Sequence, residues 1–452
     1  MQSVNPATGE LIREYLEHDE DEVARRLECA DDAFRSWSVR PVSERAALLR
    51  SLAGVLRTGL SGHAELMTAE MGKPISQAET EVEKCATTCE WFADHAAALL
   101  EPEPVTTEAT ASYVRYDPLG VVLAVMPWNF PFWQVIRCAA PALAAGNTVV
   151  LKHASNVPGC AVALEGVFRQ AGFLEGAFTT LLVPSRAVGE IIAHPAVRAV
   201  SLTGSESAGR QVAALAGASL KKTVLELGGS DAFVVLADAD VEHAAAQAAL
   251  ARTINNGQSC IAAKRFIVEE PVAARFEVAL VASMAALRVG DPRDRTVQVG
   301  PLARPDLVDE LEDQVRRTVA AGATLRLGGR RQEGPGCYFP PTVLTGVEPG
   351  MAAFDEETFG PVAPVTRARD AGHALELANR SRYGLGGSIW TADVGRGRAL
   401  AARFEAGAVF VNETVRSDPR LPFGGVKCSG YGRALAAFGL REFVNLKTVW
   451  VR

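Results

Sequence analysis

In "NNGQSCIAAKR", residues 255 to 265, a single thiol sits among small and polar neighbours. A cysteine is most often a buried, inert, small apolar residue. Cys260 instead lies in a polar, turn-prone stretch, which places it on a loop near a helix end, where a thiolate can act as a nucleophile. "VLELGGSD" ends an apolar run with Glu226 and a glycine pair. A buried charged carboxylate is costly, so Glu226 either emerges at a sheet edge or has a raised pKa and can take a proton from water. "PWNFP" holds Asn129 between two prolines. That is either a rigid turn with an aromatic plug or an amide held stiffly enough to donate to an oxyanion. The other cysteines, such as Cys85 and Cys89 at helical spacing, read as structural, and Cys428 in "GVKCSGYG" is the other loop cysteine.

Such groups need elements to hold them. From Gly120 onward short Val/Leu-rich runs alternate with helical stretches: "GVVLAVMP", "NTVVLKH", "FTTLLVP", "AVSLTG" and "KTVLEL". Continuous apolar strands with crossover helices predict a parallel sheet. "LTGSESAG" places Gly204, Ser205 and Gly209 between a strand and a helix, where free backbone N–H groups can bind a phosphate; an ordinary turn has the same composition. Lys152 ends another run in "VVLKHAS", where a solvated lysine is the simpler reading. Ligands of such sheets sit at the carboxyl ends of the strands, which gives weight to the Gly204–Ser205 turn.

The rest of the chain frames that core. Residues 19 to 100 place apolar residues at helical intervals, with acids early and arginines later. "EPEPVTTEATASYVRYDPLG" reads as a linker and then an exposed strand, a second strand-and-helix series runs from "AFVVLADAD" to about "GAVFVN", and "REFVNLKTVWVR" alternates like a strand. A chain of 452 residues is too long for one ordinary core, so two or more domains are expected. A net charge of -7 argues against nucleic-acid or anionic-membrane binding. No signal peptide or membrane-length apolar run is visible, and the scattered cysteines suggest a cytoplasmic, reduced setting. Seven histidines without paired spacing, and no CxxC, give no reason to expect a metal.

The ordered set "PWNFP", "LTGSESAG", "LELGG", "GQSC", "EETFGPV" and "PFGGVKCSGYGR" resembles the aldehyde dehydrogenase superfamily over essentially the whole chain. The interval of 34 residues from Glu226 to Cys260 is also the family's usual one. The resemblance implies an α/β fold: an open parallel-sheet cofactor domain (residues 1–101 and 118–226), an α/β catalytic domain (227–415) and a small β oligomerisation arm (102–117 and 434–452). It implies that Cys260 attacks an aldehyde, Asn129 and the Cys260 N–H hold the oxyanion, and Glu226 activates water to hydrolyse the thioester. It places Pro127, Trp128, Lys152, Ser155, Gly204, Ser205, Gly209, Leu227, Glu357 and Phe359 around NADP or NAD. Ser155 stands where NAD-preferring members commonly have a glutamate, so NADP is expected to be used at least as well as NAD. The alternative reading of Ser155 is a cap for the following helix.

Within the superfamily the motifs look most like the succinate-semialdehyde dehydrogenase branch, whose substrate carries a terminal carboxylate. The expected substrate-binding residues are Arg137, Arg416 and Ser417, with Arg420 nearby, because an arginine fork suits a carboxylate. Other ω-carboxy aldehydes come next. A CoA-acylating enzyme or a catalytically silent homologue are the alternatives, and retention of Glu226 with Cys260 and Asn129 argues against both. A homodimer or homotetramer is expected. Four features depart from the pattern: Ala434 follows the Gly-Arg where many members have Glu, Ile254 stands where some relatives have an arginine, Arg416 and Arg420 are generally lacking in close relatives, and the chain starts almost directly at "NPATGE".

Overall fold

The computed structural model describes residues 1–452. The N-terminal hundred residues form four helices: α1 (Glu20–Trp37), α2 (Val42–Thr58), α3 (Leu60–Met71) and α4 (Ile75–Leu99). In α1 the buried residues Leu27, Ala30, Ala33 and Trp37 recur at three- and four-residue steps, one face of a helix, and Asp19 caps its start by accepting from the Glu22 N–H. The α4 helix packs along α2 and against α5 (Trp133–Ala145), every residue of which is buried.

The apolar runs form the expected parallel sheet. Its strands are β1 (Val121–Met126), β2 (Thr148–His153), β3 (Phe178–Leu181), β4 (Val197–Thr203) and β5 (Lys222–Glu226). Their spatial order is β5-β4-β1-β2-β3, with Gly430–Tyr431 antiparallel beyond β5. The order reverses between β1 and β4, so the connections leaving these two strands depart to opposite sides. That crevice is where open α/β sheets bind ligands. Helix α6 (Glu206–Ala218) starts there, capped by the Ser205 hydroxyl accepting from the Ala208 N–H.

A second sheet follows: β6 (Asp231–Val235), β7 (Ala263–Glu269), β8 (Thr342–Thr345), β9 (Val362–Ala368), β10 (Gly386–Trp390) and β11 (Ala408–Val411), in the order β8-β9-β7-β6-β10-β11. These six are parallel, and Thr324–Leu327 adds an antiparallel edge. Between β6 and β7 lies α7 (Val241–Thr253). A third, antiparallel sheet joins Val444–Val451 to Ala111–Pro118 and Glu103–Pro104. Of the stretch 434–452, only Val444–Val451 enters this sheet; helix Ala436–Arg441 packs on α4 and α5 instead. No helix is long and apolar enough to cross a membrane.

Candidate active site

Cys260 lies between two cavities and lines both. One, about 470 Å³, opens between α4, α5, α7 and the segment 414–423. The other, about 620 Å³, lies at the carboxyl ends of β1, β4 and β5 and reaches Glu357 and Phe359. Only Cys260 and Gln134 belong to both walls.

The loop carrying the thiol is built from its own backbone. Asn255, Asn256 and Gly257 all have left-handed φ angles of 54°, 59° and 78°, which end α7 and turn the chain back. Asparagine and glycine tolerate that region best. A Cβ on Gly257 would run into the backbone of Gly360 and Pro361, so only glycine fits. Asn255 Nδ2 donates to the carbonyls of Asn129 and Gln258 at 2.7 and 3.0 Å, and Asn129 Nδ2 donates to Gln258 O at 3.1 Å. The two expected partners of the oxyanion therefore belong to one bonded unit, and the second amide proton of Asn129 is unused. Lys264, buried on β7, donates to the carbonyls of Ser259 and Cys260 at 2.7 and 2.8 Å. It also pairs with Glu357 at 3.3 Å, tying the thiol loop to the far wall of the larger cavity. Burial pushes the Cys260 thiol up to about 11, against the pull of Arg137 and Lys264, so at rest it is protonated.

Glu226 ends β5, paired across to Thr203 on β4. It is buried in neither large cavity but in a third, of about 20 Å³, whose walls include Gln134, Arg137, Thr203, Arg433 and Ala434. Both carboxyl oxygens lack a hydrogen-bond partner. Burial raises its pKa to about 7, with Arg137 and then Arg433 opposing the rise. The volume beside Ala434 is enough for about one water molecule. Glu226 and Cys260 thus occupy adjoining spaces that share Gln134 and Arg137 as walls.

Of the expected cofactor residues, Pro127, Trp128, Gly204, Ser205, Leu227, Glu357 and Phe359 share the larger cavity with Asn129 and Cys260. Gly209 does not line it; a Cβ there would meet the Leu227 methyls at 2.6 Å, so glycine lets α6 sit close on the β5 turn. Lys152 and Ser155 also lie outside this cavity. Lys152 is buried at the end of β2 with its ammonium 3.5 Å from Ser185 Oγ, and Ser155 is exposed in a turn. Ser155 does not cap the next helix, whose cap position is Val157. The residues present suit a dinucleotide. The start of α6 offers N–H groups to phosphate, and Glu357, which accepts from the Gly229 N–H at 3.0 Å, offers its second oxygen to a ribose hydroxyl. Trp128 and Phe359, edge to face at 5.8 Å, form an aromatic wall. Arg304 and Arg382 line this cavity too, and no motif marked them.

Of the expected substrate residues, Arg137, Arg416 and Ser417 line the smaller main cavity, as does Ile254; Arg420 does not, and is paired with Asp418 at 2.6 Å. Arg137 donates to Thr203 Oγ1 at 3.0 Å and lies over the Phe423 ring at 4.8 Å. Arg416 is 65% exposed and pairs with Glu413 at 3.3 Å. Lys84 lines the same cavity and was not legible as a site residue: it is one charged position in a long amphipathic helix.

Residues 1–449 match the aldehyde dehydrogenase family. The chain is 50% identical over 448 residues to a succinate semialdehyde dehydrogenase of Escherichia coli named for NAD(P)+, covering 99% of this chain and 97% of that one. It is 49% identical over 452 residues to an NADP(+) succinate-semialdehyde dehydrogenase of Mycobacterium tuberculosis, covering 99% of each. Its fold superposes on a crystal structure of succinic semialdehyde dehydrogenase from Streptococcus pyogenes in complex with NADP+, with a TM-score of 0.97 at 37% identity, covering 100% of this chain and 99% of that one.

Proposed function

The chain belongs to the aldehyde dehydrogenase family, and from that premise we propose that it oxidises succinate semialdehyde to succinate with NADP, and also with NAD, through a thioester on Cys260. The observation that carries the reading is the position of Cys260: its thiol opens to both the 470 Å³ cavity and the 620 Å³ cavity, so one atom can meet an aldehyde from one side and a nicotinamide from the other. Bound in the larger cavity, the nicotinamide supplies the hydride acceptor. Cys260 adds to the aldehyde carbon as its proton passes to the Glu226 carboxylate and from there to solvent, and Asn129 donates to the resulting oxyanion. After oxidation, Glu226 takes a proton from the water that attacks the thioester. To do this the carboxyl has to turn out of its small cavity, which shares Gln134 and Arg137 as walls with the cavity of Cys260. Retention of that carboxylate favours water over CoA as the acceptor.

The carboxylated substrate is supported by the cations Lys84, Arg137 and Arg416 in the smaller main cavity, whose one acid, Glu81, is bonded to Lys73. NADP is supported by the names of the relatives and by the absence of an acid at Ser155. The reading includes a homodimer or homotetramer joined through the arm, in a cytoplasmic setting consistent with eight free cysteines. The test is reduced-nicotinamide absorbance on an aldehyde panel with both cofactors, with and without CoA. Succinate semialdehyde should exceed butanal in kcat/KM, NADP should match or exceed NAD, CoA should add nothing, and Cys260→Ala should abolish turnover. Equal efficiency on butanal would remove the substrate assignment. Full activity in Cys260→Ala would remove the mechanism.

A further inference from the structure

The smaller main cavity holds a cation without a counter-ion. Lys84 lies three residues after Glu81 on α4, its ammonium 4.2 Å from the centroid of the Trp133 ring and 2.6 Å from Ser417 Oγ. An ammonium has three donors; Ser417 takes one, and the ring face adds a cation–π contact. Its two nearby acids are engaged elsewhere. Glu81 is bonded to Lys73 and accepts from the N–H groups of Phe132 and Trp133, both at 2.9 Å, while Asp418 is held by Arg420. A partly buried, unpaired cation carries a desolvation cost that a bound anion would offset. Burial, with the charge of Arg137 added, lowers Lys84 to about 8.

The other two cations of the cavity are differently committed. Arg137 is bonded to Thr203, stacked on Phe423 and shared with the wall of the Glu226 cavity, and it is the foremost cation pulling down the pKa of both Cys260 and Glu226. It acts at the reacting end. Arg416 is mostly in solvent and paired with Glu413. Ser417 accepts from Lys84, which leaves its own hydroxyl proton free to donate.

We propose that Lys84 and Ser417 together grip the distal carboxylate of the substrate, one oxygen each, and so set the preference for a carboxylated aldehyde. This rests on the carboxylated-aldehyde reading above. Lys84→Met keeps an unbranched stem against Trp133 and removes the charge. It should raise KM for succinate semialdehyde roughly tenfold more than KM for butanal, with kcat for succinate semialdehyde changed far less. Ser417→Ala should do the same to a smaller degree, and Lys84→Arg should restore part of the preference. Lys84 loses its charge as pH rises through about 8. The wild-type KM for succinate semialdehyde should therefore climb relative to butanal above that pH, and in Lys84→Met the ratio should be flat. The charged and titratable groups around Lys84 are Glu81 and Cys85 on α4, Arg137 on α5, and Arg416 and Asp418 in the facing segment. A Lys84→Met enzyme that melts as the wild type does and keeps the wild-type preference overturns the proposal. So does an equal loss on both aldehydes, which marks a structural role. If the wild type shows no preference for succinate semialdehyde over butanal, the substrate reading itself falls, and this assignment with it.

Discussion

Glu226 illustrates a conflict between stability and chemistry. Its carboxyl is buried with neither oxygen bonded, and a pKa of about 7 means it is half ionised near neutrality. A base must be deprotonated to take a proton, so thioester hydrolysis should fall about tenfold per pH unit below about 7. Glu226→Gln should show a burst of reduced nicotinamide followed by a stall, and the pH dependence of the slow phase should vanish; an unchanged steady state would assign hydrolysis to another base. The same shift has a stability consequence. A folded pKa above the ordinary 4.5 means that the native state holds the proton more tightly, so its stability falls as pH rises from about 4.5 to 7. At pH ~8 Glu226→Gln should be more stable than the wild type by up to ~3 kcal/mol, and the gap should close in acid. Denaturant titration at both pH values measures this.

At the scale of elements, the thiol is placed by a backbone feature. Three consecutive left-handed residues, Asn255 to Gly257, end α7 and let the chain pass against Gly360 and Pro361 before it reaches Cys260. Gly257→Ala forces a Cβ into that backbone at a φ of +78° and should cost about 2 kcal/mol or more. It should also lower turnover, because Asn129 is bonded to Asn255 and Gln258 of the loop that leads into Cys260. A thermal melt and single-turnover rates read the two effects, and an alanine variant with wild-type values would show the loop to be tolerant. The glycine pair after Glu226 has a comparable role: a Cβ on Gly229 would lie 2.7 Å from the Cys260 carbonyl oxygen.

At the scale of the whole molecule, the arm leaves an eight-residue strand, Val444–Val451, paired on one side only. Leu446, Trp450 and Val451 on it are exposed. Open, apolar edges invite a further strand or surface, and in the proposed dimer or tetramer a second copy of this chain would supply one. Leu446→Asp combined with Trp450→Asp should weaken self-association without unfolding the monomer, which light scattering across a dilution series would show. Identical assembly in both proteins would place the interface elsewhere.

The six ordered motifs and the alternation of apolar runs with helices were enough to identify the family and the parallel sheet, and they single out Cys260, Glu226 and Asn129 as candidates. These signals are local: continuous Val/Leu runs report burial on both faces of a sheet, and turn residues report where chains reverse. What no local signal carries is which distant segments share a cavity. Only folding sets Lys84, from a helix in the first hundred residues, against Ser417, 333 positions later. Only folding puts Glu226 in a separate small cavity next to Ala434, leaves Ser155 exposed rather than capping a helix, and sends residues 436–441 onto α4 and α5 instead of into the arm. Charge, desolvation and reach depend on neighbours in space, and those neighbours come from the packing of whole elements, which residue types at short spacing do not encode.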